Sequence, residues 1–134
     1  MGTGHLDRTG GTPALRAGWW FLALVYMTGI FFMSDQPGDA LSWLRAPWDK
    51  LAHGLSYALL GYLLARASAR PNLAWVLAAW FGASDEVHQA FVPLRSAGLD
   101  DWLADLLGAF LGSRLGGWQS ARLRRPPPER PVSG

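Results

Sequence analysis

Residues Ala17 to Met33 carry no charged side chain, and that run constrains the chain more than any other feature. A helix rises about 1.5 Å per residue, so a stretch of this length approaches the ~20 residues that cross ~30 Å of hydrocarbon. Its Trp, Phe, Leu and Val content suits contact with lipid. Ser34-Asp35-Gln36-Pro37-Gly38 ends it with turn-forming residues. A cleaved leader needs a shorter apolar region followed by a small-x-small site, and Phe31-Phe32-Met33-Ser34 offers none, so the run is read as a retained span.

Three further apolar stretches follow, from Asp49-Lys50 to about Arg66, from about Asn72 to Val92, and from about Gly98 to Leu115. Pro71, Pro93 and the turn from Arg95 to Gly98 break them, because proline cannot donate to a helix ladder and disfavours helix at the preceding residue. Short connections make sequential helices antiparallel neighbours. The expected fold is therefore an all-α membrane protein, an antiparallel bundle of four transmembrane helices. Composition agrees: half the residues are apolar and 16% are charged, against about 25% charged in a soluble domain. The domain reading is a cytoplasmic N-terminal segment (1–16), a four-helix transmembrane domain (17–116) and a basic, Pro-rich cytoplasmic tail (117–134). Within that tail, Arg122 to Gly134 reads as disordered, with basic residues able to touch anionic lipid.

Orientation follows from the basic residues, which are eleven arginines and Lys50. Arg8, Arg16, Arg66, Arg70, Arg114, Arg122, Arg124, Arg125 and Arg130 fall on one side of such a bundle, and Arg45, Lys50 and Arg95 on the other. The positive-inside bias puts both termini in the cytoplasm and the 34–48 and 93–98 loops outside. A bacterial cytoplasmic (inner) membrane protein is expected, since the Ala, Gly, Pro and Arg usage suggests a GC-rich bacterial genome. The absence of cysteine excludes disulfides, thiolate catalysis and thiolate metal sites. No P-loop and no Ser or Cys nucleophile motif occurs, and no nucleic-acid partner is expected.

With this topology the ionisable residues inside the spans gather at their outer ends. Asp49, Lys50 and His53 open the second helix; Asp85, Glu86, His88 and Gln89 close the third; Asp101 and Asp105 open the fourth; Arg95 lies between. Spacings of three or four residues place Asp49 with His53 and Tyr57, Asp85 with His88 and Gln89, and Asp101 with Asp105 on shared helix faces. A carboxylate facing lipid costs roughly 2.5–3.5 kcal/mol, so these stripes should face one another or a water-filled cavity. Gly108, Gly112 and Gly116, with Gly54/Ala58 and Gly61/Ala65, repeat small residues every four positions, and packing within the chain is the expected use.

These same residues resemble the pattern of the VanZ-like family of small bacterial membrane proteins. The matching pieces are Ser34-Asp35-Gln36-Pro37, Asp49-Lys50-Leu51-Ala52-His53, Asp85-Glu86-Val87-His88-Gln89, Arg95, and Asp101-Trp102-Leu103-Ala104-Asp105 with Gly108, over about residues 17–116. Asp105 stands where the family more often has Asn. The family is named for an accessory protein associated with resistance to the glycopeptide teicoplanin, so the resemblance implies a cell-envelope setting without implying a reaction.

Several functional classes fit. The first is a protein that binds or acts on a lipid or other phosphorylated amphiphile of the cell envelope, taken from the outer leaflet. In that reading Lys50 and Arg95 hold the anion, Glu86 with His53 or His88 supplies acid–base chemistry, and Asp49, Asp85, Gln89, Asp101 and Asp105 complete the ligand-binding set. The second is a noncatalytic shield or structural protein whose polar cluster is a salt-bridge network, reducing glycopeptide access to its target. The third is a divalent-cation site using Asp49/His53 and Asp85/His88, although no His-Glu-x-x-His motif is present and no metal ligand is assigned. Partners expected on these readings are membrane lipid, an envelope amphiphile or a glycopeptide; the cofactor is left unassigned.

Overall fold

A computed structural model describes residues 12–39 and 46–123. These residues form four helices, α1 (Pro13–Ser34), α2 (Trp48–Ser68), α3 (Pro71–Gln89) and α4 (Leu99–Leu123), and no strand. The expected all-α, four-helix architecture is the observed one. Arg45, residues 1–11 and residues 124–134, and with them most of the expected tail, lie outside the described residues.

Local chemistry sets the helix ends. Pro13 and Pro71 occupy first-turn positions, where the missing N–H costs no intrahelical bond. The Thr12 side chain caps α1 by accepting from the Leu15 amide at 3.3 Å. α3 stops at Gln89, short of the expected Val92, because Pro93 disfavours helix at the residue before it. The chain there tightens into i→i−3 bonds, Phe91 N to His88 O and Val92 N to Gln89 O. α4 continues past the expected Leu115 to Leu123, so Arg122 is helical rather than part of an irregular tail, and its guanidinium lies 3.9 Å from the Trp118 ring centroid.

Contacts fix the topology. Trp19 of α1 meets Tyr62 of α2, and Arg16 donates to the Ala67 carbonyl, so α1 and α2 are antiparallel. Trp75 donates to the Leu106 carbonyl and Trp102 to that of Ala79, which makes α3 and α4 antiparallel as well. α2 and α4 therefore run parallel, and theirs is the most extensive helix pair. A Cβ on Gly108 would meet Gly54, one on Gly112 would meet Ala58, and one on Gly116 would meet Tyr62 and Ala65. The small-residue repeat thus packs within the chain, one turn against one turn, at backbone distance.

The core is narrow, built of Tyr57, Leu60, Leu63, Leu64 and several alanines. Bulky apolar side chains point outward instead: Phe21, Phe32, Leu55, Trp80, Val87 and Leu107 are all more than 60% exposed. Among the described residues, α1 alone passes by length and composition as a candidate membrane span. The polar residues inside the other three helices are the physical reason these fall short.

Candidate functional site

The end of α1, the start of α2, the end of α3 and the start of α4 enclose an open cavity of about 520 Å³. One wall is apolar and comes from α1, with Tyr26, Ile30 and Met33. The facing wall is polar: Asp49, His53, Ser56, Asp85, Gln89, Arg95 and Asp101 line it. Sequence spacing placed Asp49 with His53, Asp85 with Gln89, and Asp101 on separate helix faces, and the bundle turns those faces toward one another; Ser56 joins them without having been anticipated.

Three hydrogen-bonded groups organise the polar wall. The first joins α1 to α3. Ser34 Oγ donates to Asp85 Oδ2 at 2.7 Å, and the Gln89 amide donates to both Asp85 Oδ2 (3.1 Å) and Ser34 Oγ (3.2 Å). Ser34, Asp85 and Gln89 are all buried, so the triangle satisfies Asp85 Oδ2, which lipid or apolar packing would leave expensive, while Asp85 Oδ1 has no partner among the described residues.

The second group centres on Lys50. Its ammonium pairs with Asp49 (3.4 Å), Asp100 (2.8 Å) and Asp101. This alters the expectation that Lys50 and Arg95 share an anion, because Lys50 is already surrounded by three carboxylates and does not line the cavity. Arg95 does line it and forms no ion pair among the described residues. One guanidinium therefore remains for an anionic guest, with a planar fork suited to phosphate or carboxylate.

The third group crosses α2, α3 and α4. His53 Nδ1 lies 3.0 Å from Asp105 Oδ1, and Asp105 is fully buried. Glu86 accepts from the Gly98 amide through Oε2 at 2.9 Å, which ties α3 to the turn leading into α4. His53, Glu86 and Asp105 each offer a ligand atom within 4.8 Å of the other two. Gly82 makes room for this arrangement: a Cβ there would stand 3.1 Å from the Tyr57 ring and 3.3 Å from Asp105 Oδ2.

His88 stands apart from the cavity. Its ring stacks on Phe31 at 4.7 Å between centroids, and Nε2 contacts Asp35 at 3.2 Å. Of the expected grouping of Asp85 with His88 and Gln89, only the Gln89 contact forms, so the Asp85/His88 half of the cation reading has no geometric basis. Sequence reasoning left Ser34, Asp100, Tyr57 and Gly82 off the site. Ser34 was detectable, since it opens the Ser-x-Gln-Pro piece; Asp100 and Gly82 carried no such signal.

A protein-family model, VanZ/LLP1, matches residues 19–116, which is most of the chain. The chain belongs to the VanZ/LLP1 family. The match runs from α1 into α4 and takes in every residue of the cavity and of the three hydrogen-bonded groups. In VanZ/LLP1 terms the recognisable sequence pieces and the polar end of the bundle are the same residues. No curated protein and no solved structure gives a significant match.

Proposed function

We propose that this VanZ/LLP1 protein is a multi-pass protein of the bacterial cytoplasmic membrane, with both termini inside, that binds the headgroup of an envelope amphiphile in its outer-end cavity. The carrying observation is the two-sided lining, with an apolar α1 wall opposite a polar wall that ends in Arg95, which forms no ion pair among the described residues. An anionic or phosphorylated headgroup meets Arg95 and Ser56, while its acyl part lies against Tyr26, Ile30 and Met33. The outward-facing Phe, Trp and Leu side chains support bilayer insertion, because apolar surface on this scale is an aggregation liability in water and is solvated by lipid. The nine-to-three basic asymmetry supports the orientation. Family membership supports an envelope role, extending to glycopeptide resistance if the bound amphiphile is the drug or its membrane-anchored target.

The test uses the full chain in lipid nanodiscs, with retention of anionic, phosphorylated and zwitterionic amphiphiles read by native mass spectrometry. Arg95→Gln is expected to weaken retention of the anionic species at least about tenfold and leave zwitterionic lipid unchanged. Equal retention of anionic lipid by both proteins overturns the reading. A C-terminal alkaline phosphatase fusion with full activity overturns the orientation.

A further inference from the structure

We propose that His53, Glu86 and Asp105 form a site for one divalent cation of the Mn2+ or Zn2+ class, at the place where α2, α3 and α4 converge. The site is separate from the amphiphile reading and does not rest on it. Three independent helices bring one imidazole and two carboxylates to within 4.8 Å of one another. Glu86 is 8% exposed and Asp105 is 0% exposed. One oxygen of each, Glu86 Oε1 and Asp105 Oδ2, is buried with no hydrogen-bond partner among the described residues. Buried oxygens of this kind are costly unless something binds them.

Charge makes the same demand. Lys50 is held by Asp49, Asp100 and Asp101, and no lysine or arginine among the described residues pairs with Glu86 or Asp105. Two ionised carboxylates in low-dielectric surroundings repel each other. A divalent cation cancels both charges and leaves the imidazole neutral, so the loaded site is formally neutral. The donor set narrows the choice of ion. An imidazole argues against Ca2+ and Mg2+, which take oxygen ligands, and the absence of thiolate argues against Cu(I). One nitrogen with two carboxylates suits Mn2+ or Zn2+, with positions left open for water or a guest.

The geometry lies within reach of coordination. Ligand atoms each ~2.1 Å from a shared ion sit roughly 3.0–3.5 Å apart. His53 Nδ1 and Asp105 Oδ1 already stand at 3.0 Å. Glu86 is the ligand that closes the remaining gap, since it has the longest and most adjustable side chain of the three.

The experiment uses the full-length protein in detergent micelles, stripped with chelator and then titrated with Mn2+ or Zn2+. Metal content is read by mass spectrometry and Mn2+ coordination by electron paramagnetic resonance. The expected result is one equivalent bound, with nitrogen coupling from a single imidazole. His53→Gln, Glu86→Gln and Asp105→Asn should each weaken binding at least about tenfold. His53→Gln should abolish the nitrogen coupling. Gln119→Ala, at the opposite end of the bundle beside Tyr62 and Arg66, should bind as wild type does. Should a variant fail to fold, a His5→Gln/His88→Gln protein, in which His53 is the one imidazole left, decides the matter: it should keep the nitrogen coupling, and loss of the coupling overturns the proposal. Failure of the wild-type protein to take up either ion stoichiometrically overturns the proposal, as does uptake undiminished by the three substitutions. Loss of metal with unchanged amphiphile retention leaves the cavity reading intact, and the reverse result separates the two in the other direction.

Discussion

Two glycine-to-alanine substitutions should change stability in opposite directions, although the chemistry is identical. At Gly112 an added Cβ would stand 1.8 Å from the Ala58 carbonyl oxygen and 2.6 Å from its carbon. Ordinary contact begins near 3.4 Å, so the methyl intrudes by about 1.5 Å. The obstacle is backbone, which no rotamer change moves aside, and relief requires α2 and α4 to separate along their whole contact. Overpacking of this kind costs about 1–3 kcal/mol, with backbone displacement near the upper end. Alanine regains about 1 kcal/mol of helix propensity, leaving a net loss of about 2 kcal/mol. At Gly18 nothing lies within 4 Å of the added Cβ. Gly18→Ala should therefore gain up to ~1 kcal/mol. Reversible unfolding in mixed micelles with increasing SDS measures both, with helicity as the readout. If Gly112→Ala unfolds within about 0.5 kcal/mol of wild type, or if both substitutions shift stability in the same direction, the claim of backbone-to-backbone contact between α2 and α4 fails.

Other expectations follow from the polar groups. Ser34→Ala removes the hydroxyl that donates to buried Asp85 and should cost about 1–3 kcal/mol in the same unfolding assay; a change below about 0.5 kcal/mol would show that the triangle contributes nothing to α1 docking. A double-mutant cycle with Lys50→Met and Asp101→Asn should give a coupling of about 1 kcal/mol, because Asp101 is largely shielded. The parallel cycle with Asp100→Asn should couple less, because Asp100 is 69% exposed, and equal couplings would contradict the ranking by burial.

The four helices and their succession along the chain were legible in the sequence because proline placement and apolar run lengths are local signals, whereas their order around the bundle was not. The small-residue repeat was legible too, since spacing by four marks one face of a helix whatever partner covers it. What spacing left open was rotation. At about 100° per residue, Gln89 sits about 40° from Asp85 and Glu86 about 100° from it on the same side, while His88 lies about 60° away on the other. Facing α2 and α4 with the Asp85–Glu86–Gln89 sector turns His88 toward Phe31 and Asp35 instead. Lys50 posed a different difficulty. Its neighbours Asp100 and Asp101 are about fifty residues away, and nothing in the sequence says whether a lone lysine will meet a guest or its own chain.

The parallel pairing of α2 with α4 bears on how the protein is made. The tightest contact in the bundle joins elements separated by a complete intervening helix, so it cannot form until the last helix has emerged. Until then the groove over Gly54, Ala58 and Gly61 is bare. Lys50 lacks two of its carboxylates over the same interval, and His53 lacks Asp105. A chain that stops before Leu99 therefore keeps only Asp49 beside Lys50 and leaves the small-residue face of α2 without its partner, so the bundle closes only when its last helix arrives.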